Sequence, residues 1–184
     1  MRDLSLHLMD LAQNSLTAGA TAIDIRFVKE QGQLLSMVVA DNGCGMDGET
    51  LQKALSPFGT SRITRKIGLG IPLTREHCLM SGGRFDIKSA PGQGTVVEAG
   101  FDLNHLDCPP TGDIAQTLLL LITANPEAPE WRIRFTRDGD SHQLDTRQVK
   151  NALSGISLNA PEVITWLDDT LKDLVKGFFE GVEA

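Results

Sequence analysis

An apolar segment that ends in a carboxylate and closely spaced glycines is the feature that most constrains the fold of this chain. Residues 34–40 are apolar on both faces of an expected strand, and Asp41-Asn42-Gly43-Cys44-Gly45-Met46 follows directly. A carboxylate without a partner would be costly to desolvate at the end of a buried strand. The segment therefore predicts either a tight Asp-Asn-Gly turn or a pocket where Asp41 binds a ligand. A helix rather than a complementary strand is expected next, which favours the pocket.

The rest of the chain alternates between helical and extended periodicity. The expected helices are 3–17, 49–55, 68–81, 113–124 and a long final helix after Pro161, and the expected strands are 23–27, 34–40, 84–88, 95–101, 131–137 and 142–145. Turns are predicted at Pro91-Gly-Gln-Gly94 and Asp138-Gly139. Residues 56–67 combine proline, glycine, hydroxyl and basic side chains without periodicity, so we expect a mobile loop there.

A segment with two prolines and a glycine at 104–113 predicts a boundary within the chain. The 184 residues are enough for one well-buried core with a small second unit. We expect one unit over 1–103 and a C-terminal α/β extension over 104–184. The apolar stripe of the final helix, from Val163 to Phe178, is expected to pack on the core, with a partner or dimer face as the alternative.

The composition excludes several classes of protein. Seventeen basic and 24 acidic residues give a net charge of -7, so general nucleic-acid binding is not expected. The longest aliphatic run, at 118–122, is too short to span a bilayer, so we expect no membrane insertion and a cytoplasmic protein. Three cysteines without zinc-site spacing are expected to be reduced thiols.

Two further patterns carry possible chemistry. Asp10 and Asn14 are four residues apart on the first helix, so both project from one face; they form either an exposed polar surface or a site where Asn14 binds Mg²⁺ and Asp10 accepts a proton. Gly68-Leu69-Gly70 opens a helix, whose N-terminus attracts phosphate. Thr60, Ser61, Arg62, Arg65 and Lys66 precede it and can add donors. Together with Asp41, these signals predict ATP binding.

In combination, these motifs resemble the GHKL superfamily, the ATP-binding module shared by gyrase, the heat-shock chaperones of the ninety-kilodalton class, histidine kinases and MutL. Asp10-x-x-x-Asn14-Ser-Leu-x-Ala-Gly-Ala-Thr21 is similar to the N box of MutL, and Asp41-Asn-Gly-x-Gly-Met46 is similar to the G1 box. Ser56-Pro-Phe58-Gly59-Thr60, Gly68-Leu-Gly-Ile71 and Gly92-Gln-Gly-Thr95 resemble the F, G2 and closing G-T elements of histidine kinases.

The resemblance implies the Bergerat fold, an α+β two-layer sandwich with helices on one face of a mixed, mostly antiparallel sheet. It implies that Asn14 binds Mg²⁺, that Asp41 accepts the adenine amine, and that Thr95 supports Asp41 through a hydroxyl or a water. It further implies that residues 56–67 form a lid over the ATP. The other positions expected to contact the nucleotide are Gly43, Gly45, Met46, Phe58, Gly59, Thr60, Ser61, Lys66, Gly68, Leu69 and Gly70.

Two departures from the family pattern matter. Asp10 stands where the hydrolytic branches carry glutamate, and a carboxylate displaced by about 1 Å can cost about a hundredfold in rate, so less efficient hydrolysis is expected. No phosphoacceptor segment precedes the motifs, so we expect a stand-alone module without autophosphorylation in cis. His7 is expected to face the site and to line it or to be structural.

Three functional hypotheses follow. The leading one is a Mg-ATP-binding, histidine-kinase-like catalytic module that acts on or regulates a protein partner in trans in signal transduction. The alternatives are a nucleotide-gated binding switch similar to anti-sigma factors and a stand-alone ATPase. A homodimer remains open, and a MutL-like role in DNA repair is disfavoured by the net charge. Residues 104–184 match no motif and are expected to determine specificity.

Overall fold

The computed structural model describes residues 3–29, 34–56 and 69–180. These residues form six helices and six strands. The helices are α1 (Leu4–Thr17), α2 (Gly48–Leu55), α3 (Gly70–Met80), α4 (Ile114–Ala124), α5 (Thr146–Leu153) and α6 (Pro161–Phe179). The strands are β1 (Ala22–Lys29), β2 (Leu34–Asp41), β3 (Phe85–Ala90), β4 (Gly94–Asp102), β5 (Glu130–Arg137) and β6 (Asp140–Asp145).

The six strands form one mixed sheet in the order β3-β4-β2-β1-β5-β6. Every neighbouring pair is antiparallel except β1 and β5, which run parallel. Residues 30–129 separate β1 from β5, which gives the long crossover that parallel pairing requires. This mixed, mostly antiparallel sheet with helices packed on it confirms the α+β fold class.

Period-two alternation sets which face of the sheet is buried. Val97, Val39, Ile25 and Ile133 are aligned across β4, β2, β1 and β5, and none is more than 5% exposed. Helices α1, α3 and α6 pack on these strands, and α4 packs against α1 and α6. The opposite face is polar and includes an ion-paired group in which Asp24 contacts Arg26 and Arg132. The sheet is therefore covered by helices on one face.

Aspartates begin four of the helices. Asp3, Asp47, Asp113 and Asp145 occupy the N-cap positions of α1, α2, α4 and α5, and each side chain accepts a hydrogen bond from a backbone N–H of the first turn. These bonds satisfy donors that have no partner inside the helix. Helix α6 begins instead with Pro161, whose fixed φ suits the first helical position.

Residues beyond 104 share the sheet and the core with the preceding part of the chain. Strand β5 pairs with β1, and α4 packs between α1 and α6. In α6, Val163, Leu167, Leu171 and Phe178 are buried, which confirms that its apolar stripe packs on the core. The segment expected to be a boundary contacts the first turn of α1, since Leu4 N donates to Pro110 O at 2.9 Å.

The described part of the chain differs from expectation at α5. This helix was not predicted because its eight residues carry few apolar side chains, of which Val149 and Leu153 pack against the core. The predicted loop at 56–67 lies outside the described residues except for Ser56. Of the helices that the structure describes, none is both long enough and apolar enough to cross a bilayer.

Candidate functional site

A cavity of about 240 Å³ lies between α1, α2, the start of α3 and the ends of β2 and β4. Five predicted site residues line it: Asn14, Asp41, Gly45, Met46 and Thr95. The remaining lining residues, which were not predicted, are Leu11, Ser15, Thr17, Ala18, Val39, Cys44, Thr50, Ala54, Ile71 and Val97. Most of these walls are apolar, with few polar groups among them, which is the usual composition of a small-molecule pocket.

Asp41 occupies the end of β2 and lines the inner part of the cavity. Its Oδ2 accepts a 2.7 Å hydrogen bond from Ser15 Oγ, and its Oδ1 accepts a 2.8 Å bond from Gly43 N. Two bonds to two different oxygens fix the plane of the carboxylate. Because each oxygen has two lone pairs, Asp41 keeps acceptor capacity for a donor in the cavity.

Ser15 is the functional residue that the sequence interpretation missed. It lies on α1 one turn after Leu11, on the apolar face of the helix, and it is only 3% exposed. A hydroxyl on an otherwise apolar face needs a hydrogen-bond partner when it is buried. A serine on the apolar face of α1 could have indicated a buried hydrogen bond. Its partner, Asp41 on β2, is 26 residues away and could not be identified from the sequence around Ser15.

The loop after Asp41 is fitted closely against the β3–β4 turn. Gly45 has φ of +66°, and a Cβ there would lie 2.0 Å from the carbonyl oxygen of Ala90. A Cβ at Gly43 would lie 2.7 Å from the Cβ of Ala18. We expected these glycines to leave room for a ligand. In the structure, the absence of a Cβ at these two glycines also allows the loop to pack closely against Ala90 and Ala18.

Ser89 joins this loop to the strand that carries Thr95. Its hydroxyl accepts from Met46 N at 2.8 Å and donates to Gly94 O at 3.1 Å. The Thr95 hydroxyl lies 2.9 Å from the same Ser89 oxygen. Thr95 also stands opposite Asp41 in the β2–β4 pair. The Asp41 carboxylate therefore accepts its hydroxyl hydrogen bond from Ser15, whereas the Thr95 hydroxyl is hydrogen-bonded to Ser89.

Asp10 and Asn14 project from α1 toward α3 and the cavity, respectively. Asn14 lines the cavity, whereas Asp10 packs against the backbone at Gly70. A Cβ at Gly70 would lie 2.8 Å from the Cβ of Asp10, so this contact requires glycine. The predicted pair is thus divided, with Asn14 at the cavity and Asp10 beside the first residue of α3.

The N-terminus of α3 lies next to Asp10. Leu69 is at its N-cap position, and no side chain of the described residues caps it. The N–H groups of a first turn point out of the helix and carry the positive end of its dipole. Ile71, in the same turn, lines the cavity. Phosphate groups of a ligand in the cavity could bind at this helix end.

His7 lies at the interface of α1 and α3. It is fully buried, with its Nε2 2.7 Å from His77 Nδ1 and its Nδ1 2.9 Å from Thr74 Oγ1. Thr74 in turn donates to Gly70 O at 2.8 Å. His7 is not among the residues that line the cavity, so its role in the described structure is to join the two helices.

Six predicted site residues lie outside the described residues: Phe58, Gly59, Thr60, Ser61, Lys66 and Gly68. In the described ranges, no three His, Cys, Asp or Glu side chains are grouped so that they could bind a metal. The one predicted metal ligand is Asn14, in the cavity wall. A single amide oxygen fits Mg²⁺, which keeps several waters and completes its coordination with phosphate oxygens.

Known proteins resemble this chain in sequence and in fold. The DNA mismatch repair protein MutL of Gemmatimonas aurantiaca is 47% identical over 96 residues, which are 48% of this chain and 16% of MutL. The cell-division control histidine kinase PdhS of Brucella canis is 32% identical over 114 residues, 55% of this chain and 11% of PdhS. The chain therefore spans less than a fifth of the length of either relative.

A solved N-terminal domain of a DNA repair protein has the same fold, with a TM-score of 0.52 and 17% sequence identity over 79% of this chain and 53% of that one. The family model described as histidine kinase-, DNA gyrase B- and HSP90-like ATPase matches residues 2–105. That match includes every element around the cavity. Because it covers more than half of the 184 residues, the chain belongs to the family of histidine kinase-, DNA gyrase B- and HSP90-like ATPases.

Proposed function

We propose that this chain is a Mg-ATP-binding, histidine-kinase-like catalytic module that acts on or regulates a protein partner in trans. Membership of an ATPase family supports ATP binding. The observation that carries the proposal is the carboxylate of Asp41, fixed by Ser15 and Gly43 in a cavity with apolar walls. A planar base that donates one amine hydrogen bond suits this environment.

The adenine is proposed to lie against the apolar walls with its exocyclic amine donating to Asp41. Val39 and Val97 form one wall, from neighbouring strands, and Met46 lines the cavity beside the loop. Ser15 and Gly43 orient the acceptor before the ligand arrives. A pre-oriented acceptor avoids the entropic cost of ordering the carboxylate upon binding.

The triphosphate is proposed to extend from the cavity toward the N-terminus of α3, where Leu69 and Gly70 offer backbone N–H groups. Asn14 is the proposed protein ligand of Mg²⁺, and Mg²⁺ would neutralise charge on the phosphate oxygens. The contact of Asp10 with Gly70 places a carboxylate at the same helix end. Asp10 is therefore the proposed catalytic residue, able to accept a proton or to orient a water.

A stand-alone ATPase is the second candidate function, favoured by membership of a family of ATPases. In that case phosphate release would proceed without a partner, and Asp10→Asn would suppress it. The shorter side chain of aspartate argues for slow hydrolysis, because reaction rates depend steeply on the position of the carboxylate.

We propose that the C-terminal part of the chain recognises the partner in trans. We propose that residues 1–103 bind the nucleotide and that the extension at 104–184 selects the partner. We also propose that the protein is cytoplasmic. A nucleotide-gated switch without phosphate transfer would divide nucleotide binding and partner selection between the same two parts of the chain. The kinase-like module and the switch differ only in whether a phosphoryl group is transferred to the partner.

One experiment separates these functions. The full chain is immobilised with a nonhydrolysable ATP analogue, a retained partner is identified, and the purified pair is then incubated with γ-labelled ATP. The kinase-like module predicts label on the partner, and its loss with Asn14→Ala. A partner that binds only with nucleotide and remains unlabelled would indicate the switch. Steady phosphate release without any partner would indicate the ATPase.

A further inference from the structure

A second groove, which we call the hairpin groove, lies between the β5–β6 hairpin and the C-terminal half of α6. Its volume is about 610 Å³. Its lining residues are Phe135, Arg137, Asp138, Asp140, His142, Thr170, Asp173, Leu174, Gly177 and Phe178. None of its described lining residues also lines the nucleotide cavity, so it is a separate surface of the described part of the molecule.

The rim of the hairpin groove is acidic. Asp138, Asp140 and Asp173 lie on it, and in the described residues neither Asp140 nor Asp173 has an ion-pair partner. Arg137 lines the groove, but it is engaged: its Nη1 donates to the carbonyls of residues 177, 178 and 180 at the end of α6, and its Nε lies 3.9 Å from Asp138. The groove therefore presents unpaired negative charge.

The floor of the groove is apolar. Phe135 and Phe178 are 2% and 3% exposed and lie with their ring centroids 5.4 Å apart, and Leu174 packs beside them. An apolar floor beneath an acidic rim fits Lys or Arg side chains, because their aliphatic stems can cover apolar surface while their charged ends reach the carboxylates.

The groove adjoins a free sheet edge. Among the residues that the structure describes, strand β6 is the last strand of the sheet and pairs only with β5. Its residues 140–143 are all exposed, and Asp140 and His142 point into the groove. An edge strand presents unpaired backbone N–H and C=O groups, and an extended segment can pair with them. Alternate side chains of such a segment would lie over the groove.

Trp166 extends this surface along α6. It is 49% exposed, and it shares one helical strip with Thr170, Asp173 and Gly177, which line the groove. Seven residues separate Trp166 from Asp173, or roughly 10 Å at 1.5 Å per residue. An exposed indole two helical turns from Asp173 is a suitable contact for a further Lys or Arg side chain of the same segment, through a cation–π interaction.

We propose that β6 and the hairpin groove bind an extended segment of a protein partner in which basic and apolar residues alternate. The segment adds a strand beside β6, its basic side chains meet Asp140 and Asp173, and one reaches Trp166. This inference rests on the proposed function only for the existence of a partner, because the groove is separate from the nucleotide cavity.

The test uses a fluorescein-labelled synthetic peptide of alternating Lys and Val, titrated with the full chain and followed by anisotropy. We expect saturable binding below about 1 mM that weakens with added salt. The double variant Asp140→Lys/Asp173→Lys should weaken binding by about tenfold or more. The matched control, Asp86→Lys/Asp107→Lys, changes the net charge equally at exposed positions away from the groove and should stay within about twofold of wild type.

Several results would overturn the proposal: no saturable binding, equal weakening by both double variants, or equal binding of a peptide in which Glu replaces Lys. A change of oligomeric state with Asp140→Lys/Asp173→Lys in sedimentation would identify a second copy of the chain as the occupant instead. The Asn14→Ala variant should retain peptide binding. Failure of nucleotide binding and failure of this docking surface can therefore be distinguished.

Discussion

Ser15 on α1 donates a 2.7 Å hydrogen bond to Oδ2 of Asp41 at the end of β2. This bond joins the first helix of the chain to the proposed adenine acceptor. With Gly43 on the other oxygen, it fixes the carboxylate before a ligand binds. The orientation of the proposed adenine acceptor thus depends on Ser15, which also lines the cavity.

Ser15→Ala is predicted to weaken Mg-ATP binding. Loss of one hydrogen bond costs about 1 kcal/mol, which corresponds to about a fivefold higher dissociation constant. Isothermal titration calorimetry measures this directly. Ser81→Ala is the matched control, since Ser81 is also buried and donates to the backbone, at Cys78 O, but lies outside the cavity. Equal affinities of wild type and Ser15→Ala for Mg-ATP would show that Ser15 does not contribute to nucleotide binding.

Cysteine reactivity is predicted to report on the cavity. Cys44 is exposed and lines the cavity, whereas burial raises the pKa of the Cys78 thiol to about 12 and also raises the pKa of Cys108. At pH 8 a thiol reagent should therefore modify Cys44 first, because the thiolate is the reactive form. Saturating Mg-ATP should slow this reaction, and Cys44→Ser should abolish its fast phase. A Cys44 rate that nucleotide leaves unchanged would contradict the assignment of the cavity.

Two neighbouring glycines are predicted to differ sharply in their tolerance of alanine. Gly92 and Gly94 both have positive φ, but a Cβ at Gly94 would lie 1.9 Å from Asp41 O, while a Cβ at Gly92 has no atom within 4 Å. Gly92→Ala should cost about 1 kcal/mol of unfolding free energy. Gly94→Ala should cost more than about 3 kcal/mol and also weaken nucleotide binding. Urea denaturation measures both, and equal costs would mean that the Asp41–Gly94 contact is not formed.

The stability contributed by Asp145 is predicted to depend on pH. The hydrogen bond from Arg147 lowers the pKa of this nearly buried carboxyl from its ordinary value of 3.8. A group with a lowered folded-state pKa stabilises the fold above its unfolded pKa, and this contribution is lost as the pH falls through the folded value. Wild type should therefore exceed Asp145→Asn in stability at pH 7, and the difference should narrow as the pH falls below the ordinary value of 3.8. A difference independent of pH would contradict this.

Much of the fold can be predicted from local sequence patterns, whereas the nucleotide site can be predicted only in part. The alternation of Ile23, Ile25 and Phe27 predicts a strand with one buried face, and the Asp41 loop and Asn14 predict the cavity. The parallel pairing of β1 with β5 could not be predicted locally, because the two strands are about a hundred residues apart. The same holds for Ser15, whose role depends on a distant partner strand.

The most direct test of the central claim is calorimetric titration of the full chain with Mg-ATP, comparing wild type, Asp41→Asn and Asp102→Asn. Asp102 is the matched control, because its Oδ1 accepts a bond from Asn104 N two residues later, as Asp41 Oδ1 does from Gly43 N, at the opposite end of the sheet. The ATP-site assignment predicts micromolar to millimolar binding by wild type and Asp102→Asn, and none measurable by Asp41→Asn. Equal binding by all three proteins, or no binding by wild type, would contradict it.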